Sequence, residues 1–234
     1  MSAGVVALAV LVAYLLGSIS WSYLIVRVLR GVDIRTVGSR NPGATNVLRV
    51  AGPVPAAAAL LLDAGKGAAA VVFARWLEAS TPVVAAVGVA AVLGHLYPVF
   101  FGFRGGKGVA TAAGTLAMLA PWAVLCCLAL FVVLVAWTRY VSVGSVATAV
   151  ACPLFVLVFG LVGWNADPRW PWLFAGVLVI GLLIVFKHRE NLGRLAAGTE
   201  KKLGHREDAQ SLGPAENAGL NDGTGGSGAG AASS

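Results

Sequence analysis

Long apolar segments are the feature that most constrains the fold of this chain. Hydrophobic residues run almost without interruption at about residues 5–26, 55–74, 83–101, 110–137, 143–163 and 172–186. A helix of about 20 apolar residues crosses the roughly 30 Å hydrocarbon core of a bilayer. Only 12% of the side chains are charged, which is too few for a normal solvated surface. The sequence therefore predicts an all-α integral membrane protein that crosses the bilayer several times.

The fourth apolar segment is too long for a single crossing. As one helix its roughly 28 residues would rise about 42 Å, and Pro121 lies inside it. Division near Pro121 into two helices brings the predicted total to seven.

The distribution of cations agrees with a total of seven helices. Cytoplasmic loops are enriched in Lys and Arg, and two cationic segments flank the apolar core of this chain. One follows the first apolar segment and the other follows the last (Arg27, Arg30, Arg35, Arg40 and Arg49; Lys187, Arg189, Arg194, Lys201 and Lys202). If both are cytoplasmic, an even number of crossings separates them. We therefore expect the amino terminus outside, the carboxyl terminus in the cytoplasm, and a multi-pass protein of the plasma membrane.

The carboxyl-terminal segment has a different composition. Residues 205–234 contain no aromatic residue and end in GTGGSGAGAASS. Such a segment buries too little apolar surface to offset the entropy of ordering. We expect a membrane-embedded domain over residues 1–204 and a disordered tail over residues 205–234. The tail holds one arginine against four carboxylates, so the net charge of +7 becomes +10 for residues 1–204.

Four polar stretches reach the same membrane face in this topology, at residues 38–49, 103–111, 138–145 and 187–204. Each is rich in glycine, in small hydroxyl or amide side chains, and in cations. These groups together are suited to holding phosphate oxygens. The cationic excess has two explanations, which are the bias of cytoplasmic loops and the binding of an anionic substrate.

The glycine-rich stretch FRGGKGVAT is not a nucleotide-binding loop. Phe101 stands where the nucleotide-binding pattern needs glycine, and Gly108 follows Lys107 where it needs Ser or Thr. Gly105, Gly106 and Gly108 still allow backbone amides around Lys107 to turn toward one anion, next to a helix start near Val109. An ordinary cytoplasmic turn explains the same residues equally well when this stretch is considered alone.

The first polar stretch contains candidate phosphate ligands that also fit structural roles. Ser39, Asn41, Thr45 and Asn46 are residues typical of turns and helix caps. Arg49 lies between this stretch and an apolar segment, where a guanidinium either reaches lipid headgroups or clamps a phosphate. We favour the clamp.

Other polar residues divide into supporting groups and candidates for the reacting centre. Asp63 and Lys66 are three residues apart, which predicts an ion pair on one helix face. His188 and Asn191 also share a helix face, and they are the best candidates for polar contacts with a substrate. The three cysteines have apolar neighbours and are interpreted as buried filler, with no metal site expected (Cys126, Cys127 and Cys152).

The polar motifs together resemble those of the bacterial acyl-phosphate:glycerol-3-phosphate acyltransferase family. They read VDIRTVGSRNPGATNVLR, LLLDAGKG, GHLYPVFFGFRGGKGVAT, TRYVSVGS and HRENLGRLAAGTEKKLG, in the order and spacing of that family. The resemblance extends to Gly204 and implies a seven-helix bundle with a cytoplasmic active site.

The resemblance also implies a role for several residues. Ser39, Arg49 and Lys107 would hold phosphate groups, Ser142 would lie in the site, and His188 and Asn191 would contact the glycerol phosphate. Thr45 and Asn46 match motif positions to which the resemblance assigns no definite role. We place them in the substrate-binding set together with Asn41, Gly105, Gly106 and Gly108. No cofactor and no nucleic acid are expected. The implied partners are acyl phosphate, glycerol 3-phosphate, membrane lipid and, through its product, an enzyme that forms acyl phosphates.

The implied reaction is attack by the 1-hydroxyl of sn-glycerol 3-phosphate on the carbonyl of an acyl phosphate. It would yield lysophosphatidic acid and inorganic phosphate, the first step of phospholipid synthesis. Substrate phosphate or His188 would accept the hydroxyl proton. A transporter of organic phosphates would also need cations near the membrane, but the cations crowd one face and no inverted repeat is visible. A purely structural membrane protein leaves the polar motifs unexplained.

Overall fold

The computed structural model describes residues 1–163 and 168–204, and the predicted tail of residues 205–234 lies outside these ranges. The described residues form ten α-helices and one short 3-10 turn at Val99–Phe101. The helices are α1 (Ala3–Gly17), α2 (Trp21–Arg30), α3 (Ala44–Ala51), α4 (Pro53–Trp76), α5 (Thr81–Leu96), α6 (Val109–Leu119), α7 (Pro121–Thr138), α8 (Val141–Leu161), α9 (Trp170–Lys187) and α10 (Arg189–Ala196).

Six helical stretches within the described ranges are long and apolar enough to cross a membrane. They are Ala3–Arg30, which combines α1 and α2, Pro53–Trp76, Thr81–Phe101, Pro121–Thr138, Val141–Leu161 and Trp170–Lys187. The all-helical, multi-pass character predicted from the sequence is therefore confirmed. Helix α6 is also apolar, but its 11 residues rise only about 16 Å, roughly half the thickness of the hydrocarbon core. The total of seven crossings stays a prediction.

The predicted interruption at Pro121 is present. Ala120 has φ −143° and ψ 64°, which ends α6, and Pro121 is the first residue of α7. Proline suits this position because its missing N–H is not needed in the first turn of a helix. The long fourth apolar segment is therefore two helices.

Helix contacts in the middle of the bundle depend on residues that lack bulk. A Cβ atom placed on Gly114 of α6 would lie 1.9 Å from the carbonyl oxygen of Ala64 on α4. A Cβ atom on Gly17 of α1 would lie 2.1 Å from the carbonyl oxygen of Ala91 on α5. Small residues let the backbones of membrane helices approach closely, where packing rather than water exclusion drives association.

We expect Gly114→Ala to destabilise the protein by about 1–3 kcal/mol, since the added methyl group must push the backbone of α6 away from the backbone of α4. Gly65→Ala on α4 is the matched control, because a Cβ at Gly65 meets nothing within 4 Å. Thermal unfolding in detergent should give a midpoint several degrees lower for Gly114→Ala than for Gly65→Ala. Equal midpoints would contradict the close approach of α4 and α6.

The cysteines follow the sequence interpretation in two of three cases. Cys127 and Cys152 are buried and contribute to the apolar core formed with α8 and α9. Cys126 is exposed, which corrects its assignment as buried filler. It occupies the outward face of α7, a helix whose surface is largely exposed and apolar.

Candidate functional site

Three of the predicted site residues meet at one end of the bundle. The Lys107 ammonium group donates a hydrogen bond to Oδ1 of Asn191, across 84 residues of sequence. Asn191 and His188 are both buried, and they belong to the junction at which α9 ends and α10 begins. The junction between α9 and α10 is therefore held against the glycine-rich stretch.

The glycine-rich stretch is packed between the end of α5 and the first loop. The Gly106 N–H donates to the His95 carbonyl oxygen at 3.1 Å. A Cβ on Gly106 would lie 2.3 Å from Nε2 of His95 and 2.6 Å from the carbonyl oxygen of Pro42. Gly108 has φ +81° and precedes the first residue of α6. A side chain at either glycine would move the backbone that carries Lys107.

A buried polar cluster lies directly behind this stretch. The Lys66 ammonium and the Asp63 carboxylate form the predicted ion pair at 2.8 Å. The Asp63 carboxylate also lies 3.5 Å from Nδ1 of His95 and accepts a hydrogen bond from the Ser22 hydroxyl at 3.4 Å. Lys66 donates in addition to the Ile19 carbonyl oxygen at 2.6 Å. Because His95 also contacts Gly106, this cluster links α2 and α4 to the glycine-rich stretch.

Lys107 has a lowered pKa. Its pKa is lowered to about 8, chiefly by burial; the Glu200 and Glu190 carboxylates act in the opposite direction, and the positive charges of Arg194 and Arg49 contribute to the lowering. Lys107 is therefore largely protonated at neutral pH and loses its charge in mildly alkaline solution. The electrostatic effect of Arg49 places this guanidinium in the same cationic region as Lys107.

The imidazole of His188 has one donor nitrogen and one acceptor nitrogen. Its Nδ1 lies 2.8 Å from the carbonyl oxygen of Ile184, which can only accept, so Nδ1 carries the proton. Burial lowers the pKa of His188 to about 4, and the Lys107 charge contributes in the same direction. The imidazole is therefore neutral at physiological pH, with Nε2 unprotonated.

Glu200 is a member of the site that the sequence analysis missed. Its carboxylate accepts from Nδ2 of Asn191 at 2.6 Å and from Nε of Arg194 at 2.8 Å. Burial raises the pKa of Glu200, but interactions with Asn191, Ser142 and Arg194 outweigh it and lower the pKa. The signal available in the sequence was a lone carboxylate among cations after α10, with no regular spacing from Asn191.

Ser142 is a further neighbour of the Glu200 carboxylate. Its hydroxyl is buried and close enough to lower the pKa of Glu200, yet it makes no hydrogen bond of good geometry within the described residues. The Leu203 N–H donates to the Arg139 carbonyl oxygen at 2.7 Å, which fixes the segment after α10 to the turn between α7 and α8. Lys107 precedes α6 and Ser142 follows α7, so these two helices lead away from the site and back to it.

The first loop is organised by one amide side chain. Oδ1 of Asn46 accepts from the Ser39 N–H at 2.8 Å, and its Nδ2 donates to the carbonyl oxygens of Ile34 and Val37, both at 3.1 Å. Asn46 is only 1% exposed. Asn46 therefore has the structural role that the sequence left open, and it holds the backbone at Ser39. Asn41 and Thr45 are half-buried, whereas Ser39 is exposed.

Known proteins resemble this chain over most of its length. The family model described as "Glycerol-3-phosphate acyltransferase" matches residues 7–198. A curated protein of that name from Geobacter sulfurreducens is 50% identical over 192 residues, covering 82% of this chain and 94% of the relative. One from Coxiella burnetii is 45% identical over 196 residues, covering 84% and 97%.

Two solved structures have a similar fold. One is the glycerol 3-phosphate form of PlsY, an integral membrane glycerol 3-phosphate acyltransferase. It gives a TM-score of 0.78 at 40% identity, covering 85% of this chain and 96% of that chain. The other is the lysophosphatidic acid form, with a TM-score of 0.74 at 38% identity and coverages of 84% and 94%.

Proposed function

This chain belongs to the glycerol-3-phosphate acyltransferase family of integral membrane enzymes, and we propose that its acyl donor is an acyl phosphate. The products are then 1-acyl-sn-glycerol 3-phosphate, which is lysophosphatidic acid, and inorganic phosphate. An enzyme that forms acyl phosphates must supply the donor, and the reaction would be the first step of phospholipid synthesis.

One observation carries the proposal: cations and hydrogen-bonding groups meet at one end of an apolar bundle. Lys107 contacts Asn191, Arg49 lies in the same cationic region, and Nε2 of His188 is an unprotonated acceptor. Both proposed substrates carry phosphate, and glycerol 3-phosphate also has hydroxyl groups that can donate to an acceptor. Cations and amides that bring two anions together offset their repulsion and hold the hydroxyl near the acyl carbonyl.

The proposed reaction needs no covalent enzyme intermediate. The 1-hydroxyl oxygen attacks the carbonyl carbon, the bond from that carbon to the phosphate oxygen breaks, and phosphate leaves with the bonding electrons. Because an acyl phosphate is a mixed anhydride, its leaving group is already good. Catalysis then rests on orientation and on donors near the oxyanion that develops on the carbonyl.

The hydroxyl proton goes to a substrate phosphate rather than to His188 in this proposal. With a pKa of about 4, the His188 imidazole is a weaker base than a phosphate monoester, whose second pKa is about 6. His188 instead accepts a hydrogen bond from the glycerol moiety and orients it. The remaining roles follow the sequence analysis: phosphate contacts from Ser39, Asn41, Thr45, Arg49, Gly105, Lys107 and Gly108, loop organisation by Asn46, and site contacts from Ser142 and Asn191. Gly106 is the exception, because its N–H already donates to the His95 carbonyl oxygen and its lack of a side chain permits close packing against His95 and Pro42.

We expect purified protein to release inorganic phosphate from palmitoyl phosphate only when glycerol 3-phosphate is added. Equal amounts of phosphate and lysophosphatidic acid should form, because each transfer breaks one anhydride bond. The activity should persist in EDTA and without ATP. Efficient transfer from palmitoyl-CoA in the absence of acyl phosphate would contradict the proposed donor, and phosphate release without glycerol 3-phosphate would indicate simple hydrolysis.

The site is proposed to lie at the cytoplasmic face, in a topology of seven helices with the amino terminus outside. The cationic loop after α2 and the cationic segment after α9 support this orientation, because Lys and Arg are retained on the cytoplasmic side. The bend at Pro121 then lies near the outer face. A domain of residues 1–204 would contain the whole site.

We expect single cysteines to react with a membrane-impermeant thiol reagent according to this topology. Suitable exposed positions are Arg104, Arg139, Gly193 and Trp122, in a background without the three native cysteines. The first three should react only in inside-out vesicles, and Trp122→Cys should react only in right-side-out vesicles. Labelling of Arg139→Cys from the outside together with Arg104→Cys from the inside would contradict the seven-helix arrangement.

A further inference from the structure

A polar cavity of about 250 Å³ opens beside the glycine-rich stretch. The first loop and the residues just before Gly105 form its walls. Three guanidinium groups reach it, those of Arg35, Arg40 and Arg104, and among the described residues that line it Asp33 has the one carboxylate. The lining therefore has an excess of two positive charges. Lys107 and Asn191 do not line this cavity, but Asn41 and Gly105 do, so the cavity adjoins the proposed substrate site without including the contact between Lys107 and Asn191.

The Arg35 guanidinium is held by contacts within the protein. Its guanidinium pairs with Asp33 at 2.7 Å, donates to the Phe101 carbonyl oxygen at 2.9 Å, and lies over the Tyr23 ring at 5.0 Å from the centroid. Arg35 thereby ties the first loop to the end of the Thr81–Phe101 span. Arg40 and Arg104 are exposed, and within residues 1–163 and 168–204 neither guanidinium has a hydrogen bond or an ion pair. Their charges are available to a ligand.

Two exposed aromatic residues are chain neighbours of groups at the cavity: Phe103 directly precedes Arg104, and Phe100 directly precedes Phe101, whose carbonyl oxygen accepts from Arg35. Phe100 is 60% exposed and Phe103 is 58% exposed. Phe103 has φ +60°, a backbone conformation that residues other than glycine seldom adopt. The N–H groups of Phe101 and Phe103 both donate to the Pro98 carbonyl oxygen, at 3.1 and 2.9 Å, so the turn that displays these rings is hydrogen-bonded.

We propose that this cavity binds the phosphate headgroup of an anionic phospholipid, with the lipid chains against Phe100 and Phe103. Exposed apolar rings at the end of a membrane span mark a surface that contacts lipid, and basic residues next to a span attract anionic lipids. A soluble phosphate would use the arginines but would gain nothing from the exposed rings. Because Arg104 directly precedes Gly105, the bound headgroup holds the segment that leads into the glycine-rich stretch.

The test compares binding of phosphatidylglycerol and phosphatidylcholine with identical chains to the full-length protein, by native mass spectrometry. The variant Arg40→Asn/Arg104→Gln removes both available charges, and Asn tolerates the left-handed conformation of Arg40, which has φ +57°. It should bind phosphatidylglycerol about tenfold or more weakly than the wild type does. The matched variant Lys201→Gln/Lys202→Gln removes two charges beyond α10, outside the cavity, and should lose less than about threefold.

Each outcome decides the proposal. Equal loss in both double variants, or no loss in Arg40→Asn/Arg104→Gln, would overturn it. Displacement of phosphatidylglycerol by millimolar inorganic phosphate or glycerol 3-phosphate would assign the cavity to a soluble anion and would also overturn it. Thermal unfolding midpoints establish that the variants are folded. If the double variant unfolds, the single variants Arg40→Asn and Arg104→Gln should each weaken phosphatidylglycerol binding about threefold, and no loss in either would overturn the proposal.

Discussion

Lys107→Ala is expected to lower kcat/KM for glycerol 3-phosphate by about two orders of magnitude, with a near-normal unfolding midpoint. The variant removes a half-buried ammonium group that already contacts Asn191 and that we assign to substrate phosphate. Losing one partner of such a charge-assisted contact costs about 2–5 kcal/mol. An exposed lysine in a solvated turn would cost almost nothing. Initial rates at varied glycerol 3-phosphate, with Lys202→Ala as an exposed lysine control, would measure the difference.

The same assay across pH tests the charge of Lys107 directly. With a pKa of about 8, Lys107 is protonated below that pH and loses its charge as the pH rises through it. Phosphate affinity, and with it kcat/KM, should therefore fall above about pH 8. Lys107→Arg should be less active at pH 7 because the fork of the guanidinium differs from a compact ammonium, but it should lack the alkaline fall. An alkaline fall of equal size in Lys107→Arg would assign the titration to another group.

His188→Asn is expected to reduce kcat by about 100-fold, and His188→Gln should recover about tenfold of that loss. Asn can retain the donor to the Ile184 carbonyl oxygen but has no atom in place of Nε2, whereas Gln extends its amide toward the Nε2 position. A misplaced substrate hydroxyl costs about 10² in rate. Neither amide is a base. Recovery by Gln therefore indicates orientation by a hydrogen bond.

The contrary result would identify His188 as the proton acceptor. In that case Gln and Asn should be equally inactive, and the wild-type kcat should show an acidic limb that both variants lack. The Glu190→Gln variant controls for altered charge near His188, since Glu190 is exposed in the first turn of α10. Its kcat should stay within about twofold of wild type, as expected for a surface substitution.

Features set by neighbours along the chain were predictable from the sequence. The membrane class follows from the length of apolar runs relative to the bilayer, and the interruption at Pro121 follows from the excess length of the fourth run. The ion pair of Asp63 and Lys66 follows from their separation of three residues on one helix. Each of these inferences needs only the length of one apolar segment or the spacing of two residues on one helix.

The composition of the site could be predicted only in part. Lys107, His188 and Asn191 were assigned from motifs, and the contact between Lys107 and Asn191 agrees with their grouping. Asn46 was assigned to the same set, but its amide is engaged within the first loop. The sequence does not distinguish a small polar loop residue that binds substrate from one that organises the loop. In the second case its hydrogen-bond partners are backbone groups, and only the folded loop brings them near.

The tertiary structure alone decided how these groups act on one another. Glu200 reaches Asn191 and Arg194 because the chain turns back after α10, where Gly198 has φ +70° and Leu203 is held at Arg139. The lowered pKa of Lys107 and the neutral state of His188 arise from burial and from charges carried by other loops. The electrostatic effect of a charge depends on its distance in space and on the local dielectric, and neither is fixed by position in the chain.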